Sequence, residues 1–144
     1  KMIIYDFYIF NNIGNCLFYI ELKGQRSENK RENKQKLMFG LIYTLKSFCR
    51  KFSPEPISVS PFTSYVTDSY KLHILETHSG LNFIMITDTN APDQTSCLSY
   101  IYSNLFSPFV LRNPFYEPKK PISSAVFRQK LLEHFDTLDS SRKA

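Results

Sequence analysis

Residues 62–90 (FTSYVTDSYKLHILETHSGLNFIMITDTN) constrain the fold more than any other part of this chain, because they read as three consecutive strands. Tyr70, Leu72 and Ile74 alternate with Lys71 and His73, the period of a half-buried strand. By that alternation Lys71 and His73 are expected to face outward together. Thr77, His78, Ser79 and Gly80 supply a turn, with Gly80 able to take positive φ. The run 81–87 (LNFIMIT) returns as a more apolar strand. Such a meander fixes an antiparallel sheet.

The remaining elements follow from periodicity. Residues 3–10 (IIYDFYIF) form a strand apolar on both faces apart from Asp6, and 11–15 is dense in turn residues. Residues 16–22 (CLFYIEL) complete a hairpin. The run 23–36 (KGQRSENKRENKQK) carries six basic and two acidic side chains and almost nothing apolar, so it reads as a solvated loop. Residues 37–52 read as a helix with Leu37, Leu41, Leu45, Phe48 and Phe52 in one stripe, ended by Pro54. After a loop at 88–94, with Asp93 as expected N-cap, Leu98, Ile101, Tyr102, Leu105 and Phe106 mark a second helix. Pro108 is expected to end or kink it. Three prolines keep 113–121 out of helix. A last helix starts near Ser123 or Ser124, with Phe127, Leu131, Phe135 and Leu138 on its apolar face, and 140–144 reads as a frayed tail.

The order β-β-α-β-β-β-α-α predicts an α/β (α+β) domain spanning 1–144. The first and fifth strands are apolar on both faces and should be central. This gives a five-stranded antiparallel sheet of order 2-1-5-4-3, with one helix on one face and two on the other. A chain of 144 residues with 9 Tyr and 13 Phe can build such a core.

The chemistry expected of an enzyme is missing from the sequence. It has no GxSxG, no Walker glycine-lysine loop, no HExxH and no GxGxxG. His73 with His78 as a metal pair would need further ligands. Cys49 with His134 as a nucleophilic pair, and Glu76 with Asp88 as acid and base, each have ordinary structural readings. No catalytic, cofactor-binding or metal-binding residue is therefore assigned, and no cofactor is expected. Cys16, Cys49 and Cys97 are three scattered cysteines without a CxxC pair, which favours buried thiols in a reducing compartment. The net charge of +5 selects no partner class by itself. The basic run has no aromatics among it, so nucleic acid is not an expected partner. The longest apolar run, 37–43, falls far short of the roughly 20 residues needed to cross a bilayer, so membrane contact is expected to be at most peripheral.

One feature points to a protein partner. In the first helix Met38, Ile42 and Cys49 widen the main stripe, and Phe39 and Tyr43 lie on a different side, so Met38, Phe39, Ile42 and Tyr43 make a secondary apolar face. A helix apolar this far round should be covered on more than one side, and a domain this small can spare few elements to cover it. Met38, Phe39, Ile42 and Tyr43 are the expected partner interface.

Several ordered motifs resemble the small longin-like subunits of the TRAPP complex. They are Tyr8-Ile9-Phe10, Gly14-Asn15-Cys16-Leu17 with Tyr19 and Glu21, and Lys36-Leu37-Met38-Phe39-Gly40 with Ser47-Phe48. Tyr70-Lys71-Leu72-His73 with Glu76-Thr77 and Gly80 continues the likeness, followed by Ile101-Tyr102-Ser103, Asn113-Pro114 and Phe127-Arg128. The likeness spans roughly residues 5–135. It implies a longin/profilin-like fold and a non-catalytic core subunit of a vesicle-tethering complex in ER-to-Golgi transport. Other TRAPP subunits and a Rab GTPase of the early secretory pathway would be the partners. The implied location is cytoplasmic, peripheral at Golgi and ER membranes. Exchange activity would belong to the assembled complex, which holds the nucleotide-free GTPase most tightly and needs no catalytic triad for that. Pro108 departs from the family's uninterrupted middle helix. The alternative is another longin-type module, an adaptor small chain or a SNARE regulatory domain; a third reading is a small enzyme or ligand-binding α/β domain, which a deep polar pocket containing His73 or His78 would support.

Overall fold

The computed structural model describes residues 3–22, 35–45, 47, 64–77, 79–117 and 119–138. The expectations for 23–34, for Phe48, Cys49, Phe52 and His78, and for the tail at 140–144 lie outside these residues. Five strands form one antiparallel sheet: β1 (Ile4–Phe10), β2 (Cys16–Glu21), β3 (Ser64–Val66), β4 (Lys71–Glu76) and β5 (Asn82–Thr87). The spatial order is β2-β1-β5-β4-β3, as the apolar pattern of the first and fifth strands requires. Helix α1 covers residues 35–45, so it starts inside the run read as loop. A second helix runs as an α-helix over Thr95–Tyr100 and continues as a π-helix over Ile101–Leu111; together they are α2. Helix α3 covers Ala125–Leu138.

Strand alternation sorts the core into two layers. On one face Phe7, Ile9, Phe18, Ile20, Phe83 and Met85 pack beneath α2 and α3. On the other, Tyr8, Phe10, Tyr19, Leu72, Ile74, Ile84 and Ile86 pack beneath α1. A bulge in β1 between Ile4 and Asp6 reverses the parity there, so Ile4 joins the first layer and Tyr5 the second. The first layer is an aromatic network: Phe7 meets Phe18, Phe83 and Phe135 edge-on, and Phe106 meets Phe83, Phe127 and Tyr116 edge-on. Edge-to-face pairs contribute about 0.5–1.5 kcal/mol each beyond the area they bury. Ser124 caps α3, its Oγ accepting from the Phe127 N–H at 3.2 Å. Phe127, Leu131 and Phe135 are the buried face, with Leu138 packed beside it.

Pro108 does not end α2, which runs on to Leu111. The helix instead widens. In an α-helix the proline ring would meet the carbonyl four residues back. Here the backbone takes the i→i−5 pattern, as in Arg112 N–H donating to the Ser107 carbonyl at 3.2 Å. The buried residues Ile101, Leu105, Phe106 and Val110 follow this wider turn, which carries the apolar face two residues past Pro108. Asp93 is not the N-cap either. Gln94 holds that position without a side-chain cap bond, and Asp93 Oδ1 accepts from Thr95 Oγ1 at 3.0 Å.

His73 does not face outward. It is 1% exposed, because the loop before α2 and the start of that helix cover β4 on this side. Its Nε2 shares a 2.8 Å hydrogen bond with Thr87 Oγ1, while Nδ1 is buried without a partner. Lys71 lies beside it, with Nζ donating to the Ala91 carbonyl at 3.0 Å. Burial, reinforced by the Lys71 charge and opposed by Asp93, lowers the His73 pKa to about 4.

The β1–β2 turn ties the hairpin to α1. Asn11 Oδ1 accepts from the backbone N–H of Ile13 at 3.1 Å and of Asn15 at 2.9 Å. That clamp places Gly14 at φ +93°, a left-handed conformation that glycine adopts without strain. The Phe39 ring of α1 fills the space a side chain would need: a Cβ on Gly14 would stand 2.8 Å from two ring carbons.

Two outcomes test this packing. Gly14→Ala should destabilise the protein by about 2 kcal/mol, through both the backbone conformation and the Phe39 contact. Gly40→Ala, on the open side of α1 with nothing within 4 Å of the added carbon, should be neutral or gain about 0.5–1 kcal/mol. Urea unfolding of both variants measures the difference. For His73, the native state favours the neutral ring. Its contribution is complete above the unfolded pKa of 6.5 and is lost as pH falls towards about 4. The loss should amount to about 3 kcal/mol, and His73→Gln should flatten the unfolding free energy between pH 6.5 and 4.

Candidate partner-binding surface

Among the described residues α1 is the one helix on its face of the sheet, so its orientation decides which of its side chains are exposed. Ile42 points into the sheet and is 2% exposed. Met38, Phe39, Leu41 and Leu45 are half-buried against the same layer. Leu37, expected in the core stripe, is instead 73% exposed, and Tyr43 is 65% exposed. The inward side is therefore Met38, Leu41, Ile42 and Leu45: Leu41 and Leu45 of the expected stripe hold, with Met38 and Ile42 widening it, and Leu37 departs. Periodicity groups Leu37 with Leu41 and cannot set the edge of the buried arc. Phe39 seated on Gly14 fixes that side of the helix.

Of the four residues expected at a partner interface, then, Ile42 is sealed by the protein's own sheet. Met38 and Phe39 present their edges, and Tyr43 is open to solvent. Rings step outward from the core along this side. Tyr8 stacks on Phe10 at 5.7 Å between centroids, Phe10 lies 5.9 Å from Phe39, and Phe39 lies 6.5 Å from Tyr43. Leu37 and Tyr43 are the exposed apolar ends of a helix otherwise anchored by its other flank. Phe115, 88% exposed in the segment after α2, is a further apolar side chain that sequence reasoning did not single out.

Of the pairs considered for chemistry, Cys49 with His134 and His73 with His78 each include a residue outside those described, and Glu76 and Asp88 are not brought together. Glu76 lies opposite Asn82 at one end of β5 and Asp88 follows its other end, which separates them by about 20 Å along the strand. Asp88 Oδ1 accepts from the Ile3 N–H at 2.9 Å. His134 meets Cys97, with Sγ 3.6 Å from Nε2, and its ring stacks on Tyr100 at 4.7 Å. Burial pushes the Cys97 thiol up to about 11 and the His134 ring down. Both shifts favour the neutral thiol and neutral imidazole, the reverse of a thiolate–imidazolium nucleophile. Among the described residues no cluster of three or more His, Cys, Asp or Glu is placed to hold a metal ion. Among them, too, no helix is long and apolar enough to cross a membrane.

Comparison with known proteins agrees with the architecture. The chain is 37% identical over 129 residues to trafficking protein particle complex subunit 1 of Dictyostelium discoideum, covering 89% of this chain and 91% of that protein. It is 34% identical over 131 residues to the subunit 1 of Rattus norvegicus, covering 90% of each. It is 31% identical over 155 residues to transport protein particle subunit bet5 of Schizosaccharomyces pombe, covering 95% of this chain and 98% of that protein. The family model described as Sybindin-like matches residues 4–138, from the first strand to the end of α3, and on that match the chain belongs to the Sybindin-like family, with its longin-like α/β fold.

Proposed function

We propose that this protein is a non-catalytic core subunit of a TRAPP vesicle-tethering complex in ER-to-Golgi transport. The observation that carries the reading is the likeness to subunit 1 proteins over nearly the whole length of both chains. In this reading the chain contributes to the surface by which the assembled complex exchanges nucleotide on a Rab GTPase. Its place is the cytoplasmic side of Golgi and ER membranes, with no more than peripheral contact to lipid.

The neighbouring subunit is proposed to dock on the outward flank of α1, at Leu37, Tyr43 and the exposed edges of Met38 and Phe39. Two large apolar side chains this open on one helix gain from being covered, at about 25 cal/mol per Å² of apolar surface. Ile42, sealed beneath the helix, would act by holding this flank in place.

Tagged protein recovered from cells should bring down several other small TRAPP subunits; recovery as a lone monomer would refute the reading. Leu37→Glu with Tyr43→Glu should cut that recovery at least about tenfold by quantitative mass spectrometry. Both side chains are exposed, so the stability of the isolated chain should move by no more than about 0.5 kcal/mol per substitution.

A further inference from the structure

A cleft of about 640 Å³ opens where the β1–β2 turn, the first turn of α1 and the segment before α3 meet. Its lining is divided by chemistry. Phe10, Cys16 and Phe39 supply an apolar floor, while Lys36 and Lys119 stand on the rim with Gln35 beside them. Lys36 and Lys119 are both exposed, and no acidic residue lines the cleft among the described residues. The neighbouring Lys120 is paired with Glu117 at 3.0 Å, and that pair does not include Lys119.

The walls are held by the fold. Phe39 is seated on Gly14, which fixes the α1 side. The Ile122 N–H donates to the Leu17 carbonyl at 2.7 Å, which ties the segment bearing Lys119 and Pro121 to β2. A preformed concavity with an apolar base and a few polar groups at its edge has the general character of a binding pocket.

We propose that this cleft binds an acidic, extended segment of another protein, with an apolar side chain on the Phe39 floor and carboxylates at Lys36 and Lys119. Charge complementarity selects the occupant. Two rim cations, with no lining carboxylate among the described residues, favour an anionic ligand. Shape selects between anionic partners. A lipid surface is met by basic side chains on a flat or protruding face, whereas the apolar floor here is recessed between walls. Stacking with nucleic-acid bases needs open aromatic faces, and the floor ring of Phe39 is half-buried against Gly14 and Phe10. The proposal does not depend on which assembly the chain joins.

The test uses the full chain and a dye-labelled hexapeptide, Asp-Glu-Phe-Glu-Asp-Asp, with its neutral counterpart Asn-Gln-Phe-Gln-Asn-Asn, by fluorescence anisotropy. The acidic peptide should bind at least about tenfold more tightly than the neutral one and weaken as salt is raised. Lys36→Glu with Lys119→Glu should weaken acidic-peptide binding about tenfold, and Lys130→Glu, on α3 across the sheet, should leave it unchanged. Equal loss with Lys130→Glu would reduce the effect to bulk charge and overturn the site. Absence of acidic-peptide binding, or equal affinity for the two peptides, would overturn it as well. Phosphatidylserine vesicles that bind in a Lys36- and Lys119-dependent way while the peptide does not would assign the cleft to lipid and overturn the peptide reading.

Discussion

The structure depends on two adjacent strands that are apolar on both faces. β1 and β5 run side by side at the centre of the sheet, and all six residues of β5 are buried. A sheet with such a centre cannot leave either side to water, so helices must cover both. The coverage is unequal. Among the described residues, two helices close the Phe7 and Phe83 side with interlocked rings, whereas one, α1, lies on the Tyr8 and Ile84 side. A helix on a sheet buries one stripe and shows the rest, and on α1 Leu37 and Tyr43 are the exposed apolar side chains.

The strands were legible in the sequence because their period is unambiguous. Alternation named the inward residues of β4, and the doubly apolar runs identified the two central strands and with them the sheet order. The edge of the buried arc of α1 was not legible. Leu41, Leu45, Met38 and Ile42 face the sheet as their spacing suggests, but the same spacing includes Leu37, which is exposed. A contact far away in sequence, Phe39 on Gly14, sets the helix orientation. The two residues share a hydrogen-bonded turn and a helix start that no local pattern connects. His73 failed for a related reason. Alternation fixes which side of the sheet a residue takes, but not whether a later segment covers that side, and here the loop at Ala91 to Gln94 does so. At Pro108, the rule against proline within helices applies to the α-helical hydrogen-bond pattern. The chain avoided the clash by changing that pattern.

Burial acts on the titratable groups in one direction throughout. Tyr8 is raised by desolvation, with Asp6 adding to it, and Cys97 is raised by desolvation. His73 and His134 are lowered by the same cause. A catalytic pair uses a neighbouring charge to stabilise the reactive form against desolvation. Cys97 and His134 instead each prefer the uncharged state, and their 3.6 Å contact is a packing interaction between α2 and α3. Both are half-buried at the edge of the core, where each meets the other as a polar partner.

The candidate surface and the cleft are joined through one side chain. Phe39 contacts Gly14 below, faces Tyr43 on the outer flank of α1, and floors the cleft at the start of the same helix. A change that unseats Phe39 would therefore disturb the helix flank and the cleft together, while charge changes at Lys36 and Lys119 would reach the cleft alone. Such a shared anchor would let one packing contact preorganise both proposed surfaces and lower the ordering cost of binding at either.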